Sequence, residues 1–303
     1  MPALSQIAFG VARTAGLTAL LRRWRPGAVV LCYHNVVDGP VAVSDPGLHL
    51  QRAAFEAHMV WLAGRFEVVS LDELARRAEA GASLRGLAAV TFDDAYQGTL
   101  RHGLPVLARL GLPCTVFVPS AYPDGAGGFW WDDAGAAALD DARRTRWLEE
   151  LQGDATRIRS ESGGATAPPS ADCVPATWAA LTASRSPLVR LGAHSVTHRN
   201  LCALDAESLD RELRTSAAAI TERTGERPHW FAYPYGRWNA TVADAARRAG
   251  YRGALTLDGN DVESGADWLA CPRINIPASI SDPAFDAWVS GVAHLRARRS
   301  HTA

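Results

Sequence analysis

The sequence contains no lysine. All 31 of its basic residues are arginine, which excludes Schiff-base chemistry and the phosphate-binding lysine of nucleotide loops. Net charge is nearly absent too. Thirty-one basic against 32 acidic residues leave −1, so no bulk field draws the chain to nucleic acid or anionic lipid. The five cysteines (Cys32, Cys114, Cys173, Cys202 and Cys271) are an odd number with no C-x-x-C pair. That spacing argues against a disulfide framework and against a cysteine zinc site. Cys32 and Cys114 stand in apolar runs and read as small buried thiols, which makes a reducing, cytoplasmic compartment the expectation. No repeat of 20–50 residues recurs along the chain.

A long uninterrupted apolar run is also missing. Residues 3–21 are mostly apolar, but Arg13 interrupts them and Arg22, Arg23 and Arg25 follow. A signal peptide carries its charge first, and a membrane span needs more apolar length. Residues 1–26 therefore read as an amphipathic helix, docked on the domain or lying peripherally on a membrane such as the inner membrane. Oligomeric state is not legible.

What is present is globular. Hydrophobic content of 48% and charged content of 21% over 303 residues suit a chain that buries a full core without staples. Short β-branched runs at 28–33, 66–69, 87–92, 114–118, 189–193, 230–233, 253–257 and 273–276 read as strands. Between them, stretches with helical spacing cover 51–63, 71–80, 98–110, 205–224, 239–249 and 283–298. Asp72 and Glu73 open one helix, and Gly111 and Gly250 close two others. Strands apolar on both faces, alternating with helices, predict an α/β fold with a parallel sheet, as a complete or irregular (β/α) barrel over residues 27–303. The segment at about 120–188 breaks the rhythm. Its apolar content is too thin for a core of its own, so it reads as an insertion, with 163–169 as a mobile loop.

In a parallel barrel, reactive groups gather where strands end. The run at 87–92 ends in Asp93 and Asp94, the run at 189–193 in His194 and, four residues on, His198. The run at 230–233 ends in Pro234, Tyr235 and Gly236, and the first strand ends in Tyr33 and His34. Two carboxylates after a buried strand need positive charge nearby. On an extended segment they point apart, so one suits a cation and the other the substrate; helix capping is the alternative. Histidines four apart reach one metal from a tight loop, or are two ordinary polar residues. Two histidines and one aspartate together leave positions open for water and substrate, and Asp93 is then placed to take the water proton.

These segments carry a resemblance. Thr91-Phe92-Asp93-Asp94, His194-Ser195-Val196-Thr197-His198 and Phe231-Ala232-Tyr233-Pro234-Tyr235-Gly236 resemble, in order, the first three motifs of the NodB-type polysaccharide deacetylases. The likeness runs from about Val30 to about Leu295 and is nearest a branch with F-A-Y-P-Y-G and P-R-I-N wording, found among bacterial surface-polysaccharide enzymes. It implies a distorted (β/α) barrel that hydrolyses N-acetyl, sometimes O-acetyl, groups of sugars with a divalent metal. It implies Asp93 as base, Asp94, His194 and His198 as metal ligands, and the backbone N–H of Tyr235 as oxyanion donor. Zinc is the default ion for such a set, with cobalt, nickel or manganese compatible.

The departures are informative. Ala95 stands where the family usually has glycine, Ala232 or Tyr233 where it often has a base-orienting arginine, and the late Cys271-Pro272-Arg273-Ile274-Asn275-Ile276 lacks the usual acid histidine. Two expectations follow: Arg273 pairs with Asp93 in place of the missing arginine, against a surface or capping role, and His34 donates the proton to the leaving amine, against a supporting or packed histidine. For the substrate, Pro234 at the turn and Trp131 and Trp238 as sugar-stacking faces are expected contacts, against a packing role for the tryptophans. His49, His58, His102, His294 and His301 read as surface residues. The substrate expected is a carbohydrate: an acylated amino sugar of a bacterial glycan or glycolipid precursor, neutral by the charge balance. The alternatives are a deformylase or other amide hydrolase on the same scaffold, or a catalytically weak carbohydrate-binding relative.

Overall fold

The computed structural model describes residues 17–43, 45–125, 127–133, 140–163 and 170–291. All eight predicted strands form, now β1 (Val29–Tyr33), β4 (Glu67–Val68), β5 (Leu87–Phe92), β6 (Cys114–Val118), β7 (Val189–Ala193), β8 (Trp230–Ala232), β9 (Gly253–Leu255) and β10 (Ile274–Asn275). They build one parallel sheet in the order β10-β1-β5-β6-β7-β8-β9, with β4 pairing the first half of β5. Leu255 of β9 bridges to Cys271, three residues ahead of β10, and β10 pairs β1. The two ends of the sheet thus meet, which gives the distorted barrel expected.

Period-two alternation sorts the core into two clusters. Leu31, Val90, Val116 and Phe231 face outward onto the helices. Val30, Ala89, Phe117, Trp230 and Cys271 fill the interior. At Gly192 a Cβ would stand 2.4 Å from the Phe117 ring, so only glycine leaves room for that interior side chain. The covering helices are α2 (Arg52–Ala63), α3 (Leu71–Glu79), α4 (Leu104–Leu110), α8 (Ala206–Thr224), α9 (Ala240–Arg248) and α10 (Asp282–Val289). Ser70 and Asp205 cap two of them, accepting from the amides of Glu73 and Ser208. The predicted helix at 98–110 begins as a π-turn at Thr99–Gly103 before α4.

Three features depart from the expectations. A small second sheet pairs β2 (Asn35–Val37) with β3 (His49–Gln51). The insertion carries helices α5 (Asp141–Glu149), α6 (Ala155–Ser162) and α7 (Trp178–Ser184). It also builds an aromatic cluster of its own, with Phe129, Trp130, Trp131, Trp147, Leu148 and Ile158 packed on Tyr96 of the barrel. Tryptophan concentration supplies the apolar area that a residue count undervalues. Of the predicted mobile loop, 164–169 lies outside the described residues. Of the predicted N-terminal helix, α1 (Leu17–Trp24) is described. No helix among the described residues is long and apolar enough to cross a membrane.

His49 and His58 are buried, not at the surface as expected; His294 and His301 lie outside the described residues. The His58 ring stacks on Phe285 at 3.8 Å, and burial lowers its pKa to about 4. His49 fastens the insertion. The Asn35 amide donates to His49 Nδ1 at 2.9 Å, so Nε2 carries the proton and donates to Asp132 at 2.9 Å. Tyr96 donates to the other Asp132 oxygen at 2.6 Å, and the Trp131 indole donates to the Tyr96 hydroxyl at 2.8 Å. Replacing Asp132 with alanine strands two buried donors, His49 Nε2 and the Tyr96 hydroxyl. The Asp132→Ala protein is expected to lose at least ~2 kcal/mol in a denaturant melt, whereas loss below ~0.5 kcal/mol would refute the fastening role.

Candidate active site

Strand register brings the motif residues together. The amide of Asp93 donates to the Tyr33 carbonyl at 2.9 Å, which sets the end of β5 beside His34. The amide of His194 donates to the Val118 carbonyl at 3.0 Å, continuing the pairing of β6 with β7. Past the strands the backbone turns sharply. Seven non-glycine residues among those described have positive φ, and five are here: Asp94, Ala95, Ser195, His198 and Tyr235. Left-handed backbone at such residues persists only where the surroundings impose it. Ala95, at φ +53°, shows why glycine is usual there.

The loop from His194 to His198 is clamped from α8. Glu212 accepts from the amides of Val196 and Thr197 at 2.8 and 2.9 Å and from the Thr197 hydroxyl at 2.5 Å. Ser195 Oγ accepts from the His198 amide at 3.0 Å, closing the turn. His194 Nδ1 donates to the Ala232 carbonyl at 2.7 Å, which leaves Nε2 as a bare lone pair. Sequence reasoning missed Glu212, and nothing local in the sequence marks it.

The lone pairs converge. His194 Nε2 lies 3.0 Å from His198 Nε2 and 3.6 Å from Asp94 Oδ1, which is 3.2 Å from His198 Nε2. All three side chains are buried, and Asp94 Oδ1 has no hydrogen-bond partner among the described residues. These separations are roughly those of ligands held about 2 Å from one shared ion. The donor set therefore fits a divalent metal. Burial raises the Asp94 pKa against the pull of His34 and His194, and burial lowers His194 and His198 to about 4.

Asp93 is in a different environment. Arg273, wholly buried, donates Nη1 to Asp93 Oδ1 at 2.7 Å and Nη2 to Oδ2 at 2.8 Å. Two further hydrogens go to the Thr256 carbonyl and Thr91 Oγ1, both at 3.1 Å. Cys32 Sγ donates to Asp93 Oδ2 at 3.4 Å. Burial would raise the Asp93 pKa, but the Arg273 charge, with that of His194, outweighs it and holds the carboxyl well below its ordinary range. Cys32, His34 and Asp93 also form a cluster of metal-ligating types. The bidentate arginine already neutralises Asp93, so the set of Asp94, His194 and His198 is the better metal site.

A cavity of about 190 Å³ opens over these groups. His34, Asp93, Asp94, His194, His198 and Tyr235 line it from the barrel, and Trp131, Arg144 and Leu148 from the insertion. Arg237, Leu257 and Asn275 complete the wall, and with Arg144 they were missed in the sequence. Pro234 and Trp238, expected as substrate contacts, are not in the lining. Trp238 instead stacks on Tyr233 with ring centroids 6.1 Å apart. Trp131 is 3% exposed, stacked on Phe129 at 4.8 Å with its ring 4.7 Å from that of His198. Its packing role is therefore substantial, and it offers the cavity little free face. A larger cavity of about 490 Å³ lies behind the histidine loop, lined by Tyr122, Arg159, Thr197 and Glu212. Among the described residues it holds no convergent ligand set, so chemistry and not volume singles out the smaller one.

Comparison with known proteins agrees with this geometry. Residues 81–254 match the family model described as polysaccharide deacetylase. YxkH of Bacillus subtilis (strain 168), carried under the name of a polysaccharide deacetylase, is 18% identical over 265 residues, covering 87% of this chain and 76% of that one. The Streptococcus pyogenes deacetylase PplD, solved in complex with acetate, superposes with a TM-score of 0.61 at 15% identity, over 85% of this chain and 96% of that one. IcaB from Ammonifex degensii gives a TM-score of 0.58 at 19% identity, over 88% and 97%. At these identities the two structures establish the barrel, and the family rests on the model match across more than half the chain. The chain belongs to the polysaccharide deacetylase family, hydrolases of carbon–nitrogen bonds.

Proposed function

We propose that the protein is a metal-dependent deacetylase that removes an N-acetyl or related acyl group from an amino sugar of a bacterial polysaccharide or glycolipid precursor. One observation carries this reading. Asp94, His194 and His198 converge in a cavity where a second carboxylate, Asp93, is held apart from them by Arg273. A divalent ion held by the first three, zinc by default, would supply Lewis acidity towards water and the acyl carbonyl.

The chain's own residues supply the rest. Asp93 accepts a proton from the attacking water, whose oxygen adds to the acyl carbon. The backbone N–H of Tyr235, in the left-handed turn at φ +60°, donates to the oxygen that becomes negative. His34, in the same cavity, gives a proton to the sugar nitrogen as the carbon–nitrogen bond breaks. Acetate and a free amino sugar leave. The two family groups that this chain's motifs lack thus have stand-ins in Arg273 and His34, which favours turnover over a binding-only relative.

Acetate release from acetylated glucosamine oligomers tests the whole. Activity is expected to vanish after dialysis against a chelator and to return with added zinc, and Asp93→Asn is expected to lower kcat by about 10²–10⁴-fold. Full activity in the chelated protein would refute metal dependence.

Arg273 and His34 separate in their signatures. Without Arg273 the Asp93 pKa rises, so Arg273→Ala is expected to move the acidic limb of kcat/KM to higher pH and to lower the plateau. An unchanged acidic limb would remove Arg273 from the mechanism. For His34→Gln the expected loss is about 10²-fold or more in kcat, with metal content intact. Normal turnover in that variant would end its role as donor.

A further inference from the structure

The helix α1 is mounted inside out. Two of its polar residues face the domain: Thr18 Oγ1 donates to Asp286 at 3.5 Å, and Arg22 Nη1 donates to Asp286 at 2.9 Å and to Ser290 Oγ at 2.8 Å. Just past the helix, Arg25 Nε donates to Asp261 at 2.7 Å and Nη1 to the Val289 carbonyl at 2.5 Å. The apolar residues face away. Leu17, Leu20 and Trp24 stand at i, i+3 and i+7, one stripe, and are 41%, 54% and 68% exposed. Val60 is the one other large apolar side chain exposed among the described residues. A surface helix ordinarily buries its apolar stripe against its own domain. Here docking uses the polar face, and the stripe stays exposed among the described residues.

Charge identifies what covers it. The first 37 residues include Arg13, Arg22, Arg23 and Arg25 and no aspartate or glutamate. Arg23 is exposed beside the stripe, and Arg85 donates to its carbonyl. Arg65 lies over the Trp61 ring that Arg22 also overlies, at 4.7 and 5.2 Å from its centroid. With Arg22 and Arg25 paired to Asp286 and Asp261, the cationic rim is the exposed Arg23, Arg65 and Arg85, which the near-zero net charge of the whole chain hides. A second copy meeting the stripe face to face would set Arg23 against Arg23. We infer that the stripe of Leu17, Leu20 and Trp24 inserts into the headgroup region of an anionic membrane surface, with the surrounding arginines on its phosphates. An amphipathic helix with tryptophan and arginine at its edge is suited to that interface. The stripe lies ahead of the first residue of β1 and His34 just beyond its last. Seating on lipid therefore leaves the cavity mouth clear.

Sedimentation of the full-length protein with vesicles tests this. Vesicles of phosphatidylcholine with phosphatidylglycerol are expected to bring the protein down, salt to release it, and pure phosphatidylcholine to bind it at least ~10-fold less well. The triple variant Leu17→Ser, Leu20→Ser, Trp24→Ser is expected to lose at least ~10-fold of that binding with an unchanged melting temperature. Should the triple variant fold poorly, Arg23→Glu, a single exposed change, is expected to weaken binding to the anionic vesicles alone. Any one of three results would overturn the inference: no sedimentation of the parent, equal sedimentation of parent and variants, or a parental dimer that the triple variant converts to monomer.

Discussion

Two adjacent carboxylates at the end of a fully buried strand constrain everything around them. Neither Asp93 nor Asp94 sees appreciable water, and an uncompensated buried charge costs several kcal/mol. The fold answers each differently. Asp93 receives a guanidinium from the segment entering β10, two strands away across β1, and Asp94 receives two imidazoles whose lone pairs need a cation to be reconciled with a carboxylate. Arg273 reaches Asp93 because the 271–275 segment lies beside β1, and the bridge from Cys271 to Leu255 joins the same segment to β9.

Strain is distributed on the same logic. The positive-φ residues at 94, 95, 195, 198 and 235 aim side chains and amides back over the barrel mouth, and each costs on the order of 1 kcal/mol or more. Rigid neighbours hold them there. Glu212 and Ser195 secure the histidine loop, and the register of β1 with β5 secures the aspartates. A loop free to relax would separate His194 Nε2 from Asp94, so the clamp and the ligand geometry are one feature.

Local pattern carried the fold and the site's skeleton. Strand runs that are apolar on both faces, with polar residues where each run stops, mark Asp93, Asp94, His194, His198 and Tyr235 in the sequence itself. Arg273 was legible only by elimination, as a late arginine where the motifs lacked one, and its partner is 180 residues away. His49 was misread because its partner Asp132 is 83 residues away and a histidine in polar surroundings looks solvated. Periodicity says nothing about such pairs. Trp238 shows the converse: an aromatic near a motif in sequence found its neighbour in Tyr233 and not in the cavity.

The barrel and the insertion divide the site between them. Every group assigned to proton transfer or metal ligation comes from a strand end of the barrel, whereas Trp131, Arg144 and Leu148 reach the cavity from the insertion. The insertion is fastened through Asp132, one residue from Trp131, so the fastening network and the cavity wall share a backbone turn at 130–132. Arg144 is itself tied to Asp45 at 2.7 Å, and Arg237 to Glu149 at 3.3 Å. These bridges join the insertion to the barrel's loops at the cavity rim. Changes in the insertion can therefore reshape the rim while leaving the two carboxylates and their counter-charges in place. Chemistry in this chain depends on the closed sheet, and the shape of what enters depends on how the insertion is pinned to it.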